Sequence, residues 1–183
     1  RSGLNSLVKA KGHILETICL PTLRAVALLL WLALSWFSSD AVIIELDAAE
    51  AFKHLRVSVL DEEFMYNCAP GSKTLYRHLR LAFGCISSPL WWVRAFSCIN
   101  RILCVALQVK CIAYIDDTSF ISNRSSAFEH FVSIILFYSA VGVLSELRKA
   151  GVSPSPRLLG FQCHLANQQI DIPADKLAGI VEL

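Results

Sequence analysis

Apolar residues along this 183-residue chain gather in runs whose spacing switches between helix and strand. Ala25–Phe37 reads AVALLLWLALSWF and carries no charge. Pro21 suits a first helical turn, and the pattern predicts a helix over Thr22–Phe37 that Ser38-Ser39-Asp40 ends. Ala41–Leu46 is rich in β-branched residues and predicts a buried strand with Asp47 at its end. Short strands are predicted over Arg56–Leu60 and Phe64–Asn67, joined through Asp61-Glu62-Glu63. A turn at Ala69-Pro70-Gly71-Ser72 and a half-buried strand over Lys73–Leu81 follow. Gly84 and Pro89 frame a loop that opens a helix over Leu90–Gln108, with Trp91, Phe96, Ile99, Leu103 and Leu107 on its apolar face.

The second half continues the mixture. Cys111–Ile115 and Thr118–Ser122 predict a hairpin with Asp116-Asp117 at its bend. Ser125-Ser126 predicts a cap on a helix over Ala127–Val141. Gly151–Pro156 reads as a loop, and Leu158–Leu165 with Gln169–Ile172 as a hairpin turning at Ala166-Asn167-Gln168. There is no internal repeat. The pattern is α+β: an antiparallel sheet with helices packed on one face. Arg1–Lys11 is polar and reads as an exposed lead-in, and without an initiator Met the chain is expected to begin mid-protein.

Composition sharpens this in three ways. The chain is 55% hydrophobic and 17% charged, against roughly 25% charged for an average soluble domain, so part of its surface is expected to be covered by missing chain or a partner. A net charge of +2 does not by itself argue for nucleic acid, nor does it exclude a local basic groove. The seven cysteines show no Cys-x-x-Cys pair and no His at zinc-ligand spacing, so they read as reduced, buried thiols of an intracellular protein. The Ala25–Phe37 run is shorter than the roughly 20 residues of a membrane span and is bracketed by Arg24 and Asp40. It reads as a buried helix, with a membrane anchor as the alternative.

The candidate chemistry lies in carboxylates set among apolar residues. Asp116 and Asp117 interrupt an apolar run, and Asp47 ends another. Ionised carboxylates beside a core are costly unless something compensates them, and a shared cation would do so. Hard carboxylate ligands that leave open positions suit Mg²⁺, which keeps waters and takes phosphate oxygens. A pair of such ions stabilises both the attacking and the leaving oxygen in phosphoryl transfer. The plainer alternative makes Asp47 a helix cap and Asp116-Asp117 a solvated turn.

Five segments in order resemble the reverse transcriptase family. Asp47-Ala48-Ala49-Glu50-Ala51-Phe52 looks like its first motif, an Asp followed five positions later by an aromatic. Leu81-Ala82-Phe83-Gly84-Cys85-Ile86-Ser87-Ser88-Pro89 is similar to its Leu-Pro-Phe-Gly-Leu-x-x-Ala-Pro, with Ala82 in place of Pro and Cys85 in place of a large apolar residue. Tyr114-Ile115-Asp116-Asp117 matches its catalytic turn. Leu159-Gly160-Phe161, with the following hairpin and Ile172-Pro173-Ala174-Asp175-Lys176-Leu177, looks like its primer grip. Arg1-Ser2-Gly3-Leu4-Asn5 resembles the Arg-x-Leu-Asn that closes its fingers. The closest relatives look like those of retrotransposons.

The resemblance implies a polymerase palm with partial fingers and no thumb. Residues 1–40 would be the end of the fingers and the apolar helix, 41–157 the palm, and 158–183 the primer-grip-like hairpin and the start of the thumb connection. It implies that Asp47 and Asp116 hold two Mg²⁺ ions, with Mn²⁺ as a substitute, and that Asp117 supports them. Glu50 and Ala51 would meet the triphosphate through main-chain N–H groups. Phe52 would lie under the incoming sugar and select deoxynucleotides, unless it is ordinary core. Phe83 and Gly84 would line the nucleotide and template pocket. Lys149, with Gly151 where Ser or Thr is commoner, would protonate pyrophosphate, or is a surface lysine. Trp91 and Trp92 would stack on bases or pack in the palm.

The implied activity is RNA-directed DNA synthesis from dNTPs on an RNA template and DNA primer, dependent on missing fingers, thumb and further polyprotein domains. The implied place is intracellular, in cytoplasm or nucleus, with no membrane. The alternatives are a decayed, inactive remnant and a small membrane-associated protein anchored by residues 25–37.

Overall fold

The computed structural model describes residues 5–6, 17–62, 65–68, 70–173 and 175–176. They belong to two compact units, one drawn from Arg1–Cys19 and Glu50–Cys98, the other from Leu20–Ala49 and Ile99–Leu183.

The larger unit is built on β1 (Ala41–Asp47), which is buried along nearly its whole length. It sits inside a four-stranded antiparallel sheet of order β4-β5-β1-β6, where β4 is Cys111–Tyr114, β5 is Asp117–Asn123 and β6 is Gly151–Ser153. A central strand covered on both faces needs a continuous apolar run, which Val42–Leu46 supplies apart from Glu45. The face bearing Ile44 and Phe120 receives α3 (Ala127–Ala140), whose Tyr138 ring lies 6.5 Å from Phe120. The face bearing Ala41, Ile43 and Ile121 receives α1 (Leu23–Phe37) through Val26, Leu29, Leu30 and Ala33. Those four recur at i, i+3, i+4 and i+7, one helical stripe. Burying Ile43 completely contributes about 2 kcal/mol. Helix α1 thus adds a cover that the one-faced arrangement lacks.

Three further strands, β7 (Arg157–Leu158), β8 (Phe161–His164) and β9 (Gln169–Asp171), form a small antiparallel sheet. Cys163, Leu158 and Leu165 join the α1 core.

In the smaller unit, β2 (Tyr66–Cys68) pairs with β3 (Leu75–Arg77). The first part of α2 (Ser88–Leu107) stacks Trp92 against Phe96 at 4.7 Å and against His54 at 5.6 Å.

Several expectations need correction. Thr22 is the N-cap of α1, so Pro21 precedes the helix. The predicted strand Arg56–Leu60 reduces to an Arg56–Arg80 bridge, because the N–H groups of Asp61 and Glu62 turn back to Ser58 O. Lys73–Leu81 is strand only at β3. Phe64, Glu63 and Ala69 lie outside the described residues. Ser126 makes no side-chain cap on α3; the Asn123 Oδ1 accepts the Ser126 N–H at 2.7 Å instead.

Gly151–Ser153 is a strand rather than a loop. The hairpin bend is Ile115-Asp116, so Asp117 already belongs to β5. Leu158–Leu165 is two strands, because Leu159 and Gly160 both take positive φ (49° and 79°) and make a two-residue turn. On the apolar face of α2, Phe96 and Leu103 are buried as predicted and Ile99 and Leu107 half-buried, but Trp91 is half exposed and Trp92 takes the buried place instead.

Candidate active site

The register of β1 on β5 places the carboxylates. Asp47 is the Cα partner of Asp117, and Asp117 also faces Tyr114 across the β4–β5 hairpin. Directly opposed residues share a sheet face, so Asp47 and Asp117 emerge side by side. Asp116 sits in the bend, and its main-chain carbonyl accepts the Ala48 N–H at 2.9 Å. The residue before it, Ile115, takes φ 57°. For a β-branched residue this is a strained conformation, and such strain collects at functional sites where surrounding structure holds it.

Lys149 reaches the same edge. The end of β1 is tied to the segment before Lys149 by Ala49 N–H to Leu144 O at 2.8 Å and Glu146 N–H to Asp47 O at 2.8 Å. This delivers the Lys149 Nζ to the Asp47 Oδ2 at 2.5 Å. Asp47's hydrogen bond and charge hold the lysine above its ordinary range, with smaller contributions from Asp117 and Asp116. The Asp117 carboxyl is also raised, first by burial and then by the charges of Asp116 and Asp47, while Lys149 opposes them. Lys149 thus pairs with Asp47 and senses the charges of Asp117 and Asp116.

Behind this edge, on the same sheet face, lies a cavity of about 120 Å³ whose lining includes Glu45, Asp47, Asp117, Ser119, Arg157 and Leu159. Burial pushes the Glu45 carboxyl up to about 7; the Arg157 N–H pulls it down and Asp117 pushes it further up. Glu45 and Arg157 were not singled out from sequence, although a lone carboxylate within Val42–Leu46 was a usable signal.

Among the described residues, no group of three or more His, Cys, Asp or Glu could hold a metal ion. The donor set still fits Mg²⁺ in one respect. Its carboxylates are hard oxygen ligands with excess negative charge, and Mg²⁺ is commonly held by one or two carboxylates plus substrate phosphates and water.

The other predicted residues lie in the smaller unit or in the small sheet. Glu50 takes φ 52° and pairs with Lys53, while Ala51 and Phe52 are buried. The Phe52 ring lies 4.8 Å from that of Phe83, which is largely exposed. Gly84 adopts φ 88°, a conformation suited to glycine. Asn5 clamps this loop: its Nδ2 donates to Gly84 O at 2.6 Å and its Oδ1 accepts the Ile86 N–H at 2.9 Å. Arg1, Ser2, Gly3 and Leu4 of the same motif lie outside the described residues.

Trp91 carries the Arg94 guanidinium over its ring at 5.4 Å. Leu159 and Gly160 form the β7–β8 turn and Phe161 begins β8. A Cβ on Gly160 would overlap the Lys176 Nζ. Ala174 and Leu177 lie outside the described residues.

Residues 23–162 match the family described as "Reverse transcriptase (RNA-dependent DNA polymerase)". This chain belongs to the reverse transcriptase family. Its fold is similar to that of the foamy viral protease-reverse transcriptase solved with an RNA/DNA hybrid. That likeness has a TM-score of 0.66 and 14% identity over 76% of this chain and 18% of the viral one. A second structure of that protein, with double-stranded DNA, gives a TM-score of 0.66 and 14% identity over 78% of this chain and 24% of the other. The chain thus spans less than a quarter of either viral chain. No curated protein matches it.

Proposed function

We propose that this reverse transcriptase chain is the palm of a retrotransposon RNA-directed DNA polymerase, which adds dNTPs to a DNA primer on an RNA template. The observation that carries the reading is the pairing of Asp47 with Asp117 beside the Ile115-Asp116 bend. In this reading residues 41–157 are the palm, 1–40 the end of the fingers and 158–183 the way into the thumb. Further polyprotein domains complete the enzyme, which works inside the cell, in cytoplasm or nucleus.

Asp47 and Asp116 would hold two Mg²⁺ ions, or Mn²⁺, with Asp117 beside them. Bound there, the ions would supply activation of the primer hydroxyl and charge stabilisation of the phosphates. Lys149, whose protonated form Asp47 favours, would give a proton to departing pyrophosphate. Glu50 and Ala51 offer main-chain N–H groups to the triphosphate. Phe52, braced by Phe83, restricts the sugar pocket, and Gly84 permits close approach of the chain. Leu159-Gly160-Phe161 grips the primer.

The test is primer extension on an RNA template with Mg²⁺ or Mn²⁺, using this chain within its native flanking sequence. Extension that disappears in Asp116→Asn is the expected result. A folded protein that extends no primer would indicate a decayed remnant, and extension surviving in Asp116→Asn would overturn the site.

A further inference from the structure

Away from the carboxylate edge, two nucleophilic side chains are built against each other. Cys104, in the last turn of α2, and Cys111, the first residue of β4, hydrogen-bond Sγ to Sγ at 3.4 Å. Neither is fully buried. The connection between them is short and fixed. Gln108 takes φ 54° and its side-chain amide donates to Val105 O at 2.7 Å. The Lys110 carbonyl then accepts the Ile121 N–H at 2.9 Å, which anchors the loop to β5.

The surroundings divide the roles of the two sulfurs. Contact with the Cys111 sulfur, the Lys110 charge and the Cys111 main-chain N–H together lower Cys104 to about 7 against the opposing effect of burial. Cys111 is pushed up by the contact with Cys104 and by being the more deeply covered of the two. Tyr138 on α3 is the other titratable group that senses both sulfurs, and burial keeps it neutral. The pair thus offers a thiolate beside a second thiol. Reactive redox cysteines share that arrangement, an ionised, accessible attacking sulfur with a resolving partner next to it.

We propose that Cys104 and Cys111 form a redox-active dithiol that a hydroperoxide oxidises to an intramolecular disulfide, a chemistry separate from nucleotidyl transfer. The Cys104 thiolate attacks one oxygen of hydrogen peroxide. The O–O bond breaks, leaving Cys104 as a sulfenic acid, and the released hydroxide takes a proton to become water. The Cys111 sulfur, giving up its proton, then displaces hydroxide from the Cys104 sulfur; the S–S bond forms and a second water leaves. Two thiols have lost two electrons and two protons, and the peroxide has become two waters. A thiol reductant reverses the reaction by exchange. Closure draws the sulfurs from 3.4 Å to about 2.05 Å. It fastens the end of α2 to the strand that leads into Tyr114 and the Ile115-Asp116 bend.

The test treats the full chain with hydrogen peroxide, blocks remaining thiols with iodoacetamide and maps tryptic peptides without reductant. Cleavage after Arg101, Lys110 and Arg124 leaves Cys104 and Cys111 in separate peptides with no other cysteine. The expected product is those two peptides linked, about 2 Da lighter than their sum through loss of two hydrogens, and separated by reductant. In Cys111→Ala, dimedone should trap a sulfenic acid on Cys104; in Cys104→Ala, Cys111 should remain alkylatable. Recovery of both peptides separately alkylated after oxidation would overturn the proposal. So would linkage of Cys104 to a different cysteine, or dimedone on Cys111 in Cys104→Ala.

Discussion

At the scale of single residues, burial acts on a carboxyl of the site's sheet face. Glu45 lies two positions from Asp47 on the same face of β1, and burial raises it from an ordinary 4.5 to about 7. A carboxyl raised on folding binds more protons in the native state than in the unfolded one. Its stabilising effect is therefore full below about pH 4.5 and is lost as pH rises through about 7. Glu45→Gln removes that loss. In buffer free of divalent ions, urea unfolding should show the variant matching the parent near pH 4.5. It should exceed the parent above pH 7 by on the order of 1–2 kcal/mol, once the exposed part of the group is discounted. Equal stability of variant and parent at both pH values would show that folding leaves the protonation of Glu45 unchanged.

At the scale of elements, α2 offers the sharpest test of register. Trp92 is 1% exposed and stacked between two rings, whereas its neighbour Trp91 is 51% exposed. Trp92→Ala should cost about 3–5 kcal/mol, and Trp91→Ala about 0.5 kcal/mol, both read by chemical denaturation. The helical period itself favours Trp92, which lies four residues before Phe96 and seven before Ile99 on one stripe, whereas Trp91 lies five before Phe96 and falls off it. The elements legible in the sequence were those that carry their own apolar signal: β1, α1, α3 and the β4–β5 hairpin. What escaped was set by partners. Gly151–Ser153 has no strand pattern and is extended because β1 offers it hydrogen bonds. The Leu159-Gly160 turn lacks the Asn-Gly or Asp-Gly signal of tight hairpins. Of the site, Asp47, Asp116 and Asp117 were visible as charges in apolar runs. Glu45 stood in the same run, but its burial beneath Arg157 and Leu159 depends on a strand more than a hundred residues later.

At the scale of the molecule, low charge leaves a surface with large apolar residues upon it. Phe128, Val132 and Leu136 stand exposed at i, i+4 and i+8 along α3, one stripe of a helix face. Exposed apolar patches promote association. Phe128→Lys with Leu136→Lys should therefore reduce concentration-dependent self-association of the chain in sedimentation velocity and leave its melting temperature within a few degrees. An unchanged sedimentation profile would place the sticky surface elsewhere. The strand order β4-β5-β1-β6 also has a consequence for synthesis. β1 leaves the ribosome well before either neighbour exists, because the smaller unit and α2 are encoded in between. At roughly 5–20 residues per second, the most apolar strand of the palm waits several seconds for β5 and longer for β6. During that interval α1, made just before it, can already cover the face bearing Ala41 and Ile43, so α1 acts as a temporary lid for a nascent strand before it becomes part of a finished core.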